Sequence, residues 1–231
     1  MRLETLAESG GYPVYFLQTR DQTPGGLYAS AGIHGDEPGG TEGLIAWAEE
    51  HLPDLVKGRR LPLTLLPCLN PWGLVNNRRS DEADHDFNRS FGRDDLSPVA
   101  ELKRLIADRR YALAVHLHED YDAQGIYLYE LTAAAQPWGR DLLDACSRAI
   151  PVDLRPRIDA RVFHRGLWLR RRIREAPLFP EARFLFPRRC PRALTFETPS
   201  ELALLDRTRA HVLLLEECTR RLLAAPAPTP A

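Results

Sequence analysis

Histidine and acidic side chains occur together at several points in the sequence, in combinations that suit a metal ion. The first is the segment A-G-I-H-G-D-E, which places His34 and Glu37 three residues apart between an apolar run and a helical pattern. Imidazole and carboxylate are both zinc ligands, and catalytic zinc sites commonly combine three protein ligands with one position for water. Alone, this pattern more often describes a surface histidine beside a helix-capping acid, so it needs support from elsewhere in the chain.

Further motifs with the same chemistry follow along the chain. They are N-P-W-G at 70–73 with R-R-S-D-E-A-D-H-D-F-N-R-S-F at 78–91, V-H-L-H-E-D at 115–120, and T-F-E-T-P at 195–199. Glu197, in the last motif, stands in an otherwise apolar stretch. A buried carboxylate without a partner is costly, so Glu197 is expected to serve either a polar site or a structural ion pair.

Alternating strand and helix patterns provide the framework for these motifs. Strands are predicted at 12–18, 26–33, 61–68, 111–118, 125–131 and 192–198. Helices are predicted at 38–52, 97–110, 134–149 and 201–223, with an irregular Pro- and Arg-rich segment at 151–191. This order predicts a single-domain α/β fold with a mixed, mostly parallel sheet and helices on both faces. The domain is expected to span 1–223, followed by a disordered Pro/Ala tail at 224–231.

The candidate residues occupy the positions at which such sheets carry their chemistry. Reactive side chains collect at strand ends and in the loops beyond them. His34, Asn70, His118 and Glu197 each follow or end a predicted strand. We therefore expect these side chains to lie close together.

In their order, the motifs resemble those of the zinc metallocarboxypeptidase family (M14-type) and its succinylglutamate desuccinylase/aspartoacylase branch. That family carries H-x-x-E, N-P-x-G, an arginine, D-x-N-R-x-F, a strand ending in D-L-H, and a late strand with the catalytic Glu. The corresponding motifs run here from residue 31 to residue 199. The resemblance implies a carboxypeptidase-like fold and a hydrolase that uses one zinc ion to cleave an amide bond.

Three zinc ligands follow from the resemblance. His34 and Glu37 match the first two. For the third, His116 and His118 both qualify chemically, because two residues apart on a strand they face the same side. The family's D-L-H aligns with the H-L-H of this chain, so the ligand is expected to be His118. His116 then stands where the family has Asp and is expected to support the site or simply to pack.

The catalytic groups are also assigned by the resemblance. Glu197 matches the carboxylate that takes a proton from the attacking water and passes it to the leaving amine. Arg79, seven residues before Asp86, matches the cation that stabilises the oxyanion, with neighbouring Arg78 as the alternative. Asp86 matches the carboxylate that orients the first zinc histidine from behind.

Substrate binding is predicted less sharply. Asn88 and Arg89 match the family's pair that grips a free carboxylate, for which a guanidinium fork is well suited. The mobile tyrosine of the digestive enzymes has no counterpart, because no tyrosine follows Tyr129; either the role is absent, as in the deacylase branch, or Tyr127 or Tyr129 supplies it. From 155 to 192 the chain holds twelve arginines. This is either a solvated basic surface or a wall that favours an acidic substrate.

Composition excludes several other classes of protein. Lys+Arg is 31 and Asp+Glu is 32, so no excess of positive charge favours nucleic acid or a membrane surface. Cys68, Cys146, Cys190 and Cys218 are widely spaced, which favours reduced thiols over disulfides or zinc binding. With no signal-peptide pattern and no long apolar run, the chain is expected to be a soluble cytoplasmic protein.

Two functional classes compete with the metallocarboxypeptidase interpretation. An N-acyl amino acid deacylase hydrolyses the same type of bond and shares every motif, so the sequence separates the two poorly. A non-catalytic binding module with the same fold would be expected to lack Glu197 or a zinc ligand, and neither is missing. The substrate is thus expected to be a small peptide or an N-acyl amino acid, with the oligomeric state left open. A second metal also stays open, since His116, Glu119 and Asp120 lie close to the third ligand.

Overall fold

The computed structural model describes residues 1–21, 24–58, 61–173 and 179–224. The strands within these ranges are β1 Arg2–Ser9, β2 Tyr12–Gln18, β3 Gly26–Ser30, β4 Leu63–Leu66, β5 Tyr111–Asp120, β6 Tyr127–Thr132, β7 Arg157–Ile158, β8 Arg161–Val162, β9 Leu167–Arg170 and β10 Arg192–Pro199. The helices are α1 Pro38–Lys57, α2 Pro71–Asn76, α3 Val99–Leu105, α4 Gly139–Cys146, α5 Glu181–Leu185 and α6 Leu204–Ala224, with a 3-10 turn at Phe87–Arg89. None of the helices in the described ranges is both long enough and apolar enough to cross a membrane.

Eight of the strands form one mixed sheet. Their order across the sheet is β1-β2-β4-β3-β5-β10-β6-β9, and β7 and β8 form a separate hairpin. The central strands β4, β3, β5 and β10 run parallel to one another. Antiparallel pairing adds β2 to β4, β1 to β2 and β6 to β10, and β9 lies parallel to β6. The carboxyl ends of β3, β5 and β10 therefore meet at one edge of the sheet, where the predicted site residues lie.

Helices cover both faces of the sheet, as predicted. On one face, α1, α4 and α6 pack over a core that includes Leu117 and Phe196. On the other face, α3 and α5 and the 3-10 turn cover a second core that includes Tyr28 and Leu185. Because neighbouring strand residues alternate between faces, His116, His118 and Glu197 lie on the face opposite Leu117 and Phe196. The predicted fold class is confirmed.

The first and last predicted elements differ from the structure at their limits. Strand β1 was not predicted; it pairs with β2 through a tight turn at Gly10 and Gly11, both with positive φ. Strand β3 ends at Ser30 instead of residue 33 because Gly32 takes a left-handed conformation (φ +58°) that breaks the strand. Helix α1 continues through Pro53 to Lys57, since Leu55 still packs into the core. Helix α6 reaches Ala224, and the rest of the predicted disordered tail lies outside the described residues.

Predictions between these elements also need correction. Between the strand predicted at 61–68 and the helix predicted at 97–110, where no helix was predicted, the structure contains α2, and α3 is shorter than the predicted helix at 97–110. The helix expected at 134–149 begins only at Gly139, because the buried Glu130 carboxylate accepts the backbone N–H groups of Trp138 and Gly139 there. The segment at 151–191 contains β7, β8, β9 and α5, apart from 174–178, which lie outside the described residues.

Candidate metal centre and active site

Two loops at the carboxyl edge of the sheet are packed together with almost no space between them. The backbone N–H of Gly35 and the side chain of Asn70 both donate to the carbonyl of Arg79, over 3.4 and 3.2 Å. A Cβ atom at Gly35 would overlap the backbone of Gly73, so the glycine is required for this approach. The H-G-D-E and N-P-W-G motifs thereby fix each other and bring Arg79 beside His34.

His34, Glu37 and His118 converge at this edge. Glu37 Oε1 lies 2.6 Å from His34 Nδ1, and Glu37 Oε2 lies 2.8 Å from His118 Nδ1. One donor atom from each of the three residues lies within 4.8 Å of the other two, and all three side chains are buried. Two imidazoles and a carboxylate form a donor set that suits zinc and leaves a fourth position for water.

Asp86 and Arg79 lie behind this cluster. Asp86 Oδ1 is 3.3 Å from His34 Nε2, the ring nitrogen on the side opposite Glu37. Arg79 donates from Nε and Nη2 to Asp86 Oδ2 over 3.1 and 3.0 Å, and its Nη1 lies 3.5 Å from Glu37 Oε1. Asp86 also caps the 3-10 turn by accepting the backbone N–H of Arg89. Asp86, for which the sequence analysis expects a supporting role, thus lies beside the His34 ring.

The electrostatics of the cluster favour a cation. Burial lowers the pKa of His34, but the carboxylates of Glu37 and Asp86 outweigh this effect and raise the pKa to about 8. Burial raises the pKa of the Glu37 carboxyl, yet the neighbouring His34 and His118 hold it well below its usual range. Two ionised carboxylates thus stabilise positive charge on the His34 ring, Glu37 at Nδ1 and Asp86 at Nε2. A divalent ion can replace the imidazole proton there, so these residues fit a zinc ion.

Glu197 lies next to the cluster. Its Cα pairs with that of His118 on β5 and with that of Tyr127 on β6, so the three side chains share one face of the sheet. Glu197 is half-buried, and among the described residues its carboxylate has no hydrogen-bond partner. Burial raises its pKa to about 8, opposed by His118 and reinforced by Glu37 and Asp120. The positive charge of an ion at the cluster would oppose this shift, and the ionised carboxylate, which is reachable and unpaired, could then accept a proton from a reactant.

The two candidate oxyanion arginines differ in position. Arg79 lies against Glu37, whereas Arg78 is turned towards the exposed Asp84, 3.3 Å away. Of the predicted carboxylate-binding pair, Asn88 is buried and accepts the backbone N–H of Glu181 through Oδ1 over 3.1 Å. Arg89 is exposed, and its guanidinium has no partner among the described residues.

His116 is not brought to the cluster. Its Nδ1 lies 2.9 Å from Glu181 Oε2 and 3.0 Å from Ser30 Oγ, in a buried network that also includes the Tyr28 hydroxyl. Glu181 is a residue that the sequence analysis missed, because it lies in the segment predicted as irregular and 65 residues from His116. The histidine that replaces the family's Asp has therefore acquired a buried carboxylate from α5.

Glu119 has a structural partner rather than a ligand role. Its carboxylate pairs with Arg207 of α6 and accepts the backbone N–H of Gly39 in the first turn of α1 over 3.1 Å. The carboxylate thus links α1, which follows Glu37, to β5 and α6. With His116 and Glu119 committed elsewhere, neither they nor Asp120 join a second metal cluster beside the first in the described part of the chain. A separate, more exposed group consists of Glu50, His51 and Glu216.

Tyr127 and Tyr129 both lie close to Glu197. The Tyr127 hydroxyl donates to Asp120 Oδ2 over 2.8 Å, and burial followed by the charge of Glu197 raises the pKa of both phenols. Each is held on the rigid strand β6 and not on a loop. The four cysteines are free, and three of them are buried, in agreement with the expectation of reduced thiols.

Comparisons with known proteins agree with this geometry. Residues 25–131 match the succinylglutamate desuccinylase/aspartoacylase catalytic domain. The expected resemblance is confirmed. The matched range contains His34, Glu37 and His118, while Glu197 lies beyond it. No curated protein matches the chain significantly.

Solved structures with the same fold extend the likeness over almost the whole chain. A candidate metallopeptidase from Shewanella amazonensis SB2B is 23% identical, with a TM-score of 0.82 over 96% of this chain and 86% of the other. One from Shewanella baltica OS155 is 25% identical, with a TM-score of 0.81 over 94% and 84%. A metallo-carboxypeptidase from Burkholderia cenocepacia is 15% identical, with a TM-score of 0.66 over 95% and 64%. These structures show that the fold is shared over almost the whole chain, and the succinylglutamate desuccinylase/aspartoacylase match supports a hydrolase.

Proposed function

We propose that this protein is a zinc-dependent hydrolase that cleaves an amide bond next to a free carboxylate, in the manner of a metallocarboxypeptidase. One observation carries the proposal: two histidines and a glutamate from distant parts of the chain converge, and Glu197 stands in register beside one of them. A structural ion-pair cluster would not require an unpaired carboxylate on the neighbouring strand.

His34 and His118 would each hold the ion through Nδ1, and Glu37 would hold it through a carboxylate oxygen. Zinc, when bound, acts as a Lewis acid and lowers the pKa of a water molecule bound to it towards neutrality. Asp86 Oδ1 lies 3.3 Å from His34 Nε2. From that position it would favour the tautomer that leaves Nδ1 free for the metal.

The remaining steps belong to the protein's own side chains. Glu197 takes the proton of the attacking water and returns it to the nitrogen of the leaving amine. Arg79 supports the negative charge that develops on the carbonyl oxygen, since its guanidinium is held at the cluster by Asp86. Arg89 provides an unpaired guanidinium for the substrate's free carboxylate, and Asn88 offers its amide N–H group.

Asp86→Asn is expected to weaken zinc binding by about 10- to 100-fold, because such supporting carboxylates raise the basicity of their histidine. Zinc affinity measured by competition with a chromophoric chelator would test this. Asp84→Asn is the matched control, because Asp84 lies in the same loop but pairs only with exposed Arg78. Equal affinities in the two variants would show that Asp86 does not support the site.

A second function is favoured by a specific finding. The family model that matches residues 25–131 describes succinylglutamate desuccinylases and aspartoacylases, which belong to the deacylase branch. The lack of any tyrosine after Tyr129 points the same way. The alternative is therefore an N-acyl amino acid deacylase, which uses the same cluster and the same Glu197 but recognises the acyl side of the bond.

A substrate panel separates the two functions. Zinc-loaded protein would be assayed with dipeptides and N-acyl-dipeptides, and in parallel with N-acetyl, N-succinyl and N-benzoyl amino acids. We expect turnover of at least one class and its loss on treatment with 1,10-phenanthroline, with recovery when zinc is restored. Preference for peptides supports a carboxypeptidase and preference for simple acyl groups a deacylase. Turnover that survives removal of the metal would contradict both.

A further inference from the structure

A buried ion pair lies next to the metal cluster without belonging to it. It joins Glu119, which follows the expected ligand His118 on β5, to Arg207 in the first turn of α6, with 2.5 Å between Glu119 Oε2 and Arg207 Nη1. Both side chains are buried. Because neighbouring residues of a strand face opposite sides of the sheet, the Glu119 carboxylate lies on the face opposite His118, beside α1 and α6.

Glu119 contacts the segment that carries the ligand Glu37 at two points. Its backbone N–H donates to Glu37 Oε2 over 3.2 Å. Its carboxylate Oε1 accepts the backbone N–H of Gly39, two residues beyond Glu37, over 3.1 Å. A Cβ atom at Gly39 would overlap this carboxylate, so the close approach requires glycine. Glu119 therefore holds both the side chain and the main chain of the Glu37 segment.

Arg207 provides the charge that lets Glu119 hold this position. A buried carboxylate is stable only when a cation and further hydrogen bonds compensate for its lost hydration. Among the described residues, Arg207 is the cation that pairs with Glu119. The Arg207 Nε atom is buried and has no hydrogen-bond partner in that part of the chain, so the guanidinium is oriented by Glu119. Loss of Arg207 would leave the buried carboxylate uncompensated and loosen its contact with Gly39.

The same arrangement occurs a second time, away from the metal cluster. Glu130 on β6 forms a buried pair with Arg192 on β10, and its Oε2 accepts the backbone N–H of Gly139 in the first turn of α4 over 2.8 Å. A Cβ atom at Gly139 would lie 2.9 Å from Glu130 Oε2. In the described part of the chain, Glu130 makes no hydrogen bond to a ligand of the cluster. The second pair therefore serves as an internal reference for the first.

We infer that the Glu119–Arg207 pair positions Glu37 for metal binding, so that the last helix of the chain sets the affinity of the zinc site. This inference rests on the proposed function, because it takes Glu37 as a ligand. Arg207 acts through Glu119 and touches neither the metal nor the substrate, so it is a positioning residue. The Glu130–Arg192 pair has the same chemistry but stabilises only the fold.

The test compares Arg207→Met with Arg192→Met, since each removes the cation of one buried pair and leaves an unbranched apolar side chain. Both should lower the unfolding temperature of the metal-free protein, measured by circular dichroism. Only Arg207→Met should also weaken zinc binding, measured by competition with a chromophoric chelator. The expected loss is about 10-fold, the lower end of the effect of supporting groups, because Arg207 acts through Glu119. Arg207→Lys, which keeps the positive charge, should recover part of the affinity.

A second pair of variants disturbs the same contacts without removing a charge. Gly39→Ala and Gly139→Ala each place a methyl group against the carboxylate of the corresponding pair. Gly39→Ala is expected to weaken zinc binding, because the Glu119 carboxylate must move away from the first turn of α1. Gly139→Ala should leave the zinc affinity unchanged. This comparison decides the question if Arg207→Met does not fold.

The inference is overturned if folded Arg207→Met or Gly39→Ala binds zinc as tightly as the wild type, or if the matched controls lose as much affinity. Its failure is distinguishable from that of the proposed function. A wild type that binds zinc but hydrolyses no substrate would contradict the proposed function and leave the inference intact. A wild type that binds no zinc would contradict both.

Discussion

Glu197→Gln is expected to lower kcat by about 10³-fold while leaving the zinc content of the protein unchanged. A positioned general base typically contributes about 10²- to 10⁴-fold to the rate, and the expected loss lies within that range. The amide has nearly the size of the carboxylate but cannot accept the proton of the attacking water. Zinc should be retained because the three donor atoms come from His34, Glu37 and His118. Glu197 occupies the neighbouring strand position and has no hydrogen-bond partner among the described residues, so its replacement breaks no existing contact of that kind.

Steady-state kinetics with the best substrate of the panel, together with metal analysis by inductively coupled plasma mass spectrometry, would measure both effects. Glu201→Gln provides the control, because Glu201 is exposed and lies just beyond β10. If Glu197→Gln kept more than about a tenth of wild-type kcat, the assignment of Glu197 as the general base would be wrong. Loss of zinc from this variant would instead place Glu197 among the ligands.

His118→Asn is expected to abolish turnover and to weaken zinc binding by more than about 100-fold. Loss of a group that only supports a ligand weakens metal binding by about 100-fold at most. The substitution removes one of the three donors and leaves Glu37 Oε2, which lies 2.8 Å from His118 Nδ1, without its partner. Two remaining protein ligands make a poor zinc site, since catalytic sites commonly use three.

Equilibrium competition against a chelator would measure the affinity, with circular dichroism to verify folding. His51→Asn is the matched control, because His51 belongs to the separate, partly exposed group with Glu50 and Glu216. We expect that control to bind one zinc ion as tightly as the wild type. A larger loss of affinity in His51→Asn than in His118→Asn would move the zinc site to the surface of α1 and α6.

The sequence predicted that the candidate site residues would lie close together, because their positions follow from the topology of the sheet. Parallel strands β3, β5 and β10 end at one edge, so His34, His118 and Glu197 had to meet there once the alternating pattern was recognised. The two-residue period of a strand placed His116 on the same face as His118, and the family pattern was needed to choose between them. The local sequence pattern alone does not distinguish His116 from His118.

The supporting contacts could not be predicted because they join segments without a shared pattern. Glu181 contacts His116 from a segment that the sequence predicted to be irregular. Arg207 contacts Glu119 from the last helix of the chain. Arg161 was one of twelve arginines in its segment, and only the turn at Asp159 and Ala160 places it over Tyr129 and Trp168. Such pairings depend on loop geometry, which sequence periodicity does not encode.

The most direct test of the metal centre is a crystal structure of the zinc-loaded protein with anomalous data collected at the zinc absorption edge. We predict one strong peak about 2.0–2.2 Å from His34 Nδ1, His118 Nδ1 and a Glu37 oxygen, with Glu197 facing the open coordination position. A peak only at Glu50, His51 and Glu216, or a cluster in which His34 and Glu37 remain paired without an ion, would contradict the proposed zinc site.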